Sequence, residues 1–479
     1  MKKRARSGVK GKPQGLKPQS SYGPHAARLK SCPDTKPTIN VDGSAAVQLI
    51  QIEKPIYGGA FLARVEGKAM FVPLTLPGEQ ARVRVVEEKR GYATAEVEEI
   101  VAAAAERIAP ACKYFGACGG CQYQHAAYEA QVEMKQAILR ETLERGGVRA
   151  PEAITVLAGD PWAYRNRIRL AFDAEGRAGY RGRRSHALVA IDECPIAASL
   201  LVRAALAAGE IVRELPVQLR PTEIALFCDA AETALLASAT VAGGRADGLE
   251  DFARTLQERV PEAKGVEFLV EGERGREARR VAQWGASSLL YRAAGFDYRA
   301  DQGAFFQVNR WLVDGLVECV MEGLGGGVAG RGGRAHHGGQ AWDLFAGVGL
   351  FARKLAKRFE RVIAVEPAPA AIAALKGNLT GTHAAAVKAT TLDFLRGAAK
   401  GERPDVIVAD PPRMGLGAET TELLGRICAP EMVYVSCDPA TLARDLRALV
   451  TAGYAIERIT LADLFPQTFH LETVVKLRR

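Results

Sequence analysis

Ala341-Trp-Asp-Leu-Phe-Ala-Gly-Val-Gly349 reads as a strand, a glycine-rich turn and the start of a helix. An acid followed by G-x-G at such a turn is close to the fingerprint of doubly wound nucleotide-binding sheets. Alone the signal is weak, so the segments that follow have to carry it. Arg361 to Val365 is a second apolar run and ends in Glu366. That acid lies about 20 residues on, where a carboxylate suits a pair of ribose hydroxyls. Asp393 follows a third short strand, and Val406-Ile-Val-Ala-Asp410-Pro-Pro-Arg413 supplies a fourth. The pattern predicts an α/β, Rossmann-like domain over residues 299–479.

The turn is G-x-G rather than G-x-G-x-x-G, which favours a nucleotide without a pyrophosphate. The order of the acids is that of the sheet that binds S-adenosylmethionine. Upstream, Asp301-Gln-Gly-Ala-Phe-Phe-Gln-Val-Asn309 would put Phe305, Gln307 and Asn309 on one face if extended. An aromatic ring and two amides suit a heteroaromatic ligand.

A further strand and helix lie at 432–449. Met432 to Val435 is an apolar run, Asp438-Pro439 is a helix start, and Leu442, Leu446 and Leu449 give helical spacing. Cys437 falls in the turn between them. The helix N-terminus is expected to favour its thiolate. Glu472, in His470-Leu-Glu-Thr, approaches a terminal strand and is a candidate general base facing Cys437. Its plain alternative is a surface salt bridge.

The upstream half is different. Short strands with turn signals over 41–103 predict a small OB-like β-barrel. Arg82, Arg84, Lys89, Arg90 and Tyr92 along one hairpin suit RNA. Cys112, Cys118 and Cys121, with Gly119-Gly120 between two of them, form a tight ligand loop, and Cys194-Pro supplies a fourth thiol. The C-x₅-C-x₂-C spacing with one distant Cys favours a [4Fe–4S] cluster over zinc. His125 reads as a local hydrogen-bonder, and Cys228, Cys319 and Cys428 as core thiols. Residues 104–298 are therefore expected to be a central α+β iron–sulfur domain. Arg165, Arg167 and Arg169 alternate there and suit phosphate or base contact, or a solvated edge strand.

The chain has 64 Lys/Arg against 55 Asp/Glu, for a net charge of +9. Residues 1–40 hold ten of those bases and one acid, so 54 bases and 54 acids remain and the body is neutral. The tail reads as a disordered basic arm that meets phosphate, or as a solubilising extension. The Gly-rich stretch 325–339 reads as a mobile loop. No apolar run reaches the roughly 18 residues of a membrane span. A cytoplasmic monomer without membrane contact is expected.

Assembled, these residues make the chain resemble the RNA uracil-5 methyltransferase family, in particular the branch with a TRAM domain and an iron–sulfur cluster that acts on 23S ribosomal RNA. The Phe71-Val-Pro, Leu76-Pro-Gly-Glu and Arg82-Val-Arg-Val segments are similar to the TRAM barrel. The resemblance implies Cys437 as nucleophile and Glu472 as base. It implies cluster ligands at Cys112, Cys118, Cys121 and Cys194, and methyl-donor contacts at Gln307, Phe345, Glu366 and Asp410. Leu350 and Asp393 stand at the donor-site periphery, where the family often has other residues. Arg165 and Phe305 are candidate RNA contacts. Methylation of a transfer RNA, and an inactive RNA-binding protein, remain the alternatives. An N-methyltransferase is disfavoured because Arg413 follows D-P-P where an aromatic would be needed.

Overall fold

The structure, a computed structural model, describes residues 47–242, 248–272, 278–324, 339–398, 401 and 403–479. The basic tail and positions 325–338 of the Gly-rich stretch lie outside the described residues.

Five strands close the first barrel: β1 (Val47–Pro55), β2 (Ala60–Val65), β3 (Lys68–Pro73), β4 (Gln80–Glu88) and β5 (Tyr92–Ala102), in the order β1-β2-β3-β5-β4. Only β3 and β5 pair in parallel. Alternating residues such as Ile50, Ile52, Phe61, Ala63, Met70 and Val72 fill its interior, as the period of 2 requires. The cysteine loop follows, and then helix α1 (Tyr128–Arg145) and strand β6 (Thr155–Leu157).

A seven-stranded sheet occupies the middle of the chain. It contains β7 (Arg167–Phe172), β8 (Ala178–Arg181), β9 (Leu188–Ala190), β10 (Pro221–Cys228), β11 (Leu235–Val241), β12 (Ala263–Val270) and β13 (Arg279–Gly285). Helices α2 (Ser199–Glu214) and α3 (Leu249–Arg259) share a core with it. A hairpin, β14 (Ser288–Ala293) and β15 (Phe296–Asp301), leads through α4 (Val313–Met321) to the last unit.

That unit runs β16 (Gln340–Leu344), α5 (Leu350–Leu355), β17 (Arg361–Val365), α6 (Pro369–Asn378), β18 (Ala384–Val387), α7 (Thr391–Ala398), β19 (Val406–Ala409), α8 (Ala418–Ile427), β20 (Glu431–Ser436), α9 (Pro439–Thr451), β21 (Ala455–Ala462) and β22 (Glu472–Arg478). Its sheet order is β18-β17-β16-β19-β20-β22-β21-β6, with β18 through β20 parallel and β22 antiparallel between β20 and β21. Both faces are covered, which is why its strands read as continuous apolar runs. On β16, Trp342 and Leu344 enter one core and Ala341 the other.

Packing does not follow a boundary at residue 298. β6 pairs with β21 at the edge of the C-terminal sheet. Ile138, Leu139 and Leu143 of α1 share a core with Leu442, Ala443 and Leu446 of α9. The approach is so close that a Cβ on Gly146 would lie 2.6 Å from that of Ala443. No helix among the described residues is long and apolar enough to cross a membrane.

Candidate active site

The site forms at the carboxyl ends of the parallel strands, where open α/β sheets bind ligands. Leu344 pairs with Val365 on one side and with Ala409 on the other. One residue further, Phe345, Glu366 and Asp410 leave the sheet at one level. Ser436 pairs with Thr473 across the antiparallel β20–β22 ladder. Cys437 and Glu472 are the next residues beyond that pair, and the Glu472 charge acts on the Cys437 thiol. Acids and thiol spread from Glu366 to Glu472, 106 positions in sequence, thus converge because four strand ends are adjacent.

Local chemistry shapes each end. Phe345 adopts a left-handed φ of 65°, an uncommon conformation for a non-glycine residue that concentrates at functional sites. Gly349, at φ 93°, packs so tightly that a Cβ would sit 2.7 Å from Leu375 Cδ1. The Glu366 carboxylate accepts from Gly347 N–H at 2.9 Å and Ala368 N–H at 2.7 Å. Burial still raises its pKa, against those two bonds. Gln307 is buried and its Nε2 donates to Asp410 Oδ2 at 3.5 Å. Burial pushes the Asp410 carboxyl up to about 7.

Three residues of the donor region behave differently from the expectation. The Leu350 side chain lies in the apolar core and its carbonyl accepts from the Tyr298 hydroxyl at 3.1 Å. Only its backbone N–H, in the first turn of α5, is placed to meet a ligand. Asp393 is exposed in the first turn of α7, where Thr390 is the cap: Thr390 Oγ1 accepts the Asp393 N–H at 3.1 Å and donates to the Asp393 carboxylate at 2.7 Å. Asn309 turns inward, donating to Leu464 O and accepting from the N–H groups of Trp311 and Leu312. Asp343, on β16, joins the same site although its place inside a strand gives it no separate signal in sequence. It is fully buried, and neither oxygen makes a well-aligned hydrogen bond among the described residues. Burial, followed by Asp410 and Glu366 against the Ala352 N–H, holds its carboxyl well above the usual range. The acid of the opening motif was its only sequence signal.

The expected thiolate at Cys437 is corrected by its surroundings. Burial, then Glu472, Asp410 and Asp438, push the thiol up to about 12, and Arg413 opposes them. The helix end does not compensate, because Asp438 Oδ1 already accepts from Ala440 and Thr441 N–H at 3.0 and 2.9 Å. Its negative charge answers the helix N-terminus before the sulfur can. Burial and Asp410 likewise raise the Glu472 carboxyl well above its usual value. At neutral pH the thiol is therefore kept protonated beside Glu472 and Asp410, two carboxyls raised by burial. Arg413 donates to His470 Nδ1 at 2.6 Å. Burial and the Arg413, Arg165 and Lys135 charges lower the His470 pKa to about 3. The ring is neutral and accepts through Nδ1, so Nε2 carries the proton.

The four cysteines Cys112, Cys118, Cys121 and Cys194 line one cavity, together with Arg165, Tyr180 and Gln124. Burial raises Cys112 and Cys118, and pushes Cys121 up to about 12. No group of three His, Cys, Asp or Glu that could hold a single metal ion occurs among the described residues. His125 is buried and bonds Thr75 O at 2.9 Å. Arg165 faces that cavity rather than an open strand face. Arg167 stacks on Phe227 at 4.3 Å, so of the three arginines only Arg169 is exposed. The barrel arginines are paired across strands: Arg82 with Glu99 at 3.0 Å, and Arg84 with Glu96 and Glu98 at 3.1 Å. Phe305 is 51% exposed two residues from Gln307.

Comparison with known proteins gives the frame for this geometry. Residues 287–479 match the family described as tRNA (Uracil-5-)-methyltransferase, and residues 45–97 match the TRAM domain. The 23S rRNA (uracil(1939)-C(5))-methyltransferase RlmD of Halomonas elongata is 33% identical over 458 residues, covering 91% of this chain and 90% of that protein. Its namesake in Chromohalobacter salexigens is 35% identical, covering 90% and 89%. The crystal structure of Pyrococcus abyssi tRNA (uracil-54, C5)-methyltransferase, in complex with S-adenosyl-L-homocysteine, shares the fold with a TM-score of 0.68 at 24% identity, over 90% of this chain and 100% of that one. The chain belongs to the TRAM-bearing, S-adenosylmethionine-dependent RNA uracil-C5 methyltransferases.

Proposed function

We propose that this protein methylates C5 of a uridine in 23S ribosomal RNA, with Cys437 as nucleophile and Glu472 as base. The observation that supports the reading is the β20–β22 ladder, whose pair Ser436 with Thr473 lies one residue short of Cys437 and Glu472, with Glu472 buried and raised by burial and Asp410. Uracil C5 is a poor nucleophile. The Cys437 thiol gives its proton to solvent and the sulfur adds to C6, so that the C5–C6 electron pair shifts toward the ring carbonyl and makes C5 electron-rich. C5 then takes the methyl group that bound S-adenosylmethionine would supply, the sulfonium–methyl bond breaking to leave a neutral thioether. Glu472 then takes the C5 proton, the C5–C6 double bond re-forms, and the sulfur leaves. Gln307, Phe345, Glu366 and Asp410 would hold the donor: Glu366, with two backbone N–H bonds fixing it, suits the ribose diol. Phe305 is exposed for stacking on a base drawn out of the RNA.

The donor set of four thiols about one cavity fits a [4Fe–4S] cluster held by Cys112, Cys118, Cys121 and Cys194. Such a cluster would organise the fold there, since no step above needs it. The two relatives named for 23S rRNA support the ribosomal substrate. The transfer-RNA reading rests on the description of the family that residues 287–479 match. An inactive binding protein is disfavoured by the intact Cys437–Glu472 pair. The test is transfer of labelled methyl to an unmodified 23S ribosomal RNA transcript, with a transfer RNA transcript in parallel. Cys437→Ala should abolish transfer while RNA binding persists, and Glu472→Gln should accumulate a covalent protein–RNA adduct. Transfer surviving in Cys437→Ala would overturn the mechanism; labelling of transfer RNA alone would overturn the substrate.

A further inference from the structure

The turn joining β1 and β2 of the barrel reaches into the catalytic unit. Tyr57 stands at its tip, and its hydroxyl donates to the Cys437 carbonyl at 3.4 Å. Its ring meets Phe469 edge-on at 5.4 Å, and Phe469 lies 4.2 Å from the His470 ring. His470 in turn accepts from Arg413. The seating is tight: at Gly59, φ 84°, a Cβ would lie 2.6 Å from Gln122 Cγ and 3.3 Å from the Phe469 ring. Gln122 and Tyr123 of the cysteine loop both donate their N–H to Gln467 O at 3.0 Å. Barrel, cysteine loop and the 467–470 segment thus meet at one junction beside the nucleophile.

We propose that Tyr57 is a positioning residue for methyl transfer, holding the Cys437 turn and the Phe469–His470 wall, so that the barrel completes the active site as well as meeting RNA. This rests on Cys437 being the nucleophile. The Tyr57 hydroxyl also belongs to the electrostatics of the site: burial, followed by Asp438, Cys437 and Glu472 against Arg413, raises its pKa, so it remains a hydrogen-bond donor. A barrel that served only to grip RNA would have no need of a side chain there.

The two roles separate kinetically. RNA carrying 5-fluorouridine traps the adduct, because fluorine at C5 cannot leave as a proton. Adduct formation is measured in a single turnover with S-adenosylmethionine, alongside RNA dissociation constants, for wild type, Tyr57→Phe, Tyr57→Ala and Cys437→Ala. Tyr57→Phe keeps the ring and loses one neutral hydrogen bond, so adduct formation should slow about fivefold. Tyr57→Ala frees the turn and should slow it by up to about 100-fold, the penalty typical of a nucleophile displaced by roughly 1 Å. RNA affinity should stay within about twofold of wild type in both, since neither variant alters a charge that meets phosphate. Unchanged adduct rates at saturating RNA, or a loss confined to RNA affinity, would overturn the positioning role. Adduct formation by Cys437→Ala would instead sink the nucleophile assignment beneath it.

Discussion

Lys135 and Asp463 form an ion pair at 2.6 Å with both side chains fully buried. Lys135 Nζ also donates to Phe465 O at 2.9 Å, which ties α1 to the segment that leads into Glu472. Burial lowers the Lys135 pKa, and Asp463 resists that shift. The second Asp463 oxygen has no well-aligned partner among the described residues. Lys135→Met keeps most of the volume and leaves the carboxylate unmatched, at a cost of about 3–5 kcal/mol. For a cooperative unit of 150–250 residues, about 2–4 °C of Tm accompanies each kcal/mol, so Tm should fall by roughly 6–20 °C. Thermal unfolding followed by circular dichroism reads this directly. The double variant Lys135→Met with Asp463→Leu removes both charges and should recover most of the loss, because the desolvation penalty goes with them. Methyl transfer by the single variant should fall as the 463–470 segment loosens. The reasoning is refuted if Lys135→Met shifts Tm by less than about 2 °C, or if the double variant is less stable than the single one.

Cys437 gives a pH signature. A thiol near 12 is about 1 part in 100,000 thiolate at pH 7, so alkylation of this sulfur in the RNA-free enzyme should climb about tenfold per pH unit from 7 to 9.5; a plateau below pH 9 would contradict the buried-acid argument. In the barrel, burial would raise Glu79, but Arg107 and the Leu76 and Ala104 N–H groups overcome this and hold it below its usual value. Its contribution is therefore present above about pH 4.3 and lost as pH falls through the lower folded value. Glu79→Gln should destabilise the barrel by about 2–3 kcal/mol at pH 7 and by much less below pH 4, read by denaturant unfolding across pH. Gly349→Ala places a Cβ at φ 93° against Leu375 and should cost about 1–3 kcal/mol. Its KM for S-adenosylmethionine should rise with the RNA dissociation constant unchanged; an unaltered KM would mean that the turn does not shape the donor site.

Much of the architecture was legible because its signals are local. Strand periodicity marked all five barrel strands, and Asp438-Pro439 marked the start of α9, where the Asp cap and Pro at the first turn both occur. Glu366 and Asp410, each directly after an apolar run, marked two strand ends, whereas Asp393 fell inside α7; parallel strands place their C-termini together whatever the intervening chain does. Met134, Ile138, Leu139 and Leu143 have the spacing of one helical face, but an apolar stripe does not name the surface that will cover it, so the docking of α1 on α9 is not in the local pattern.

What tertiary structure alone decided is how distant groups alter one another. The sequence places Cys437 at a helix start. Only burial and the folded positions of Glu472 and Asp410 make that thiol harder to ionise, since both depend on neighbours far away in the chain. Arg165, Arg167 and Arg169 alternate in sequence as an exposed face would, yet packing turns the first toward the cysteine cavity and the second onto Phe227. Tyr57 sits 380 positions from Cys437 in sequence, and no periodicity relates them. Local preferences determined the elements and the order of the reactive groups. Long-range packing determined their protonation and their partners, because dielectric, charge and contact are properties of the assembled interior.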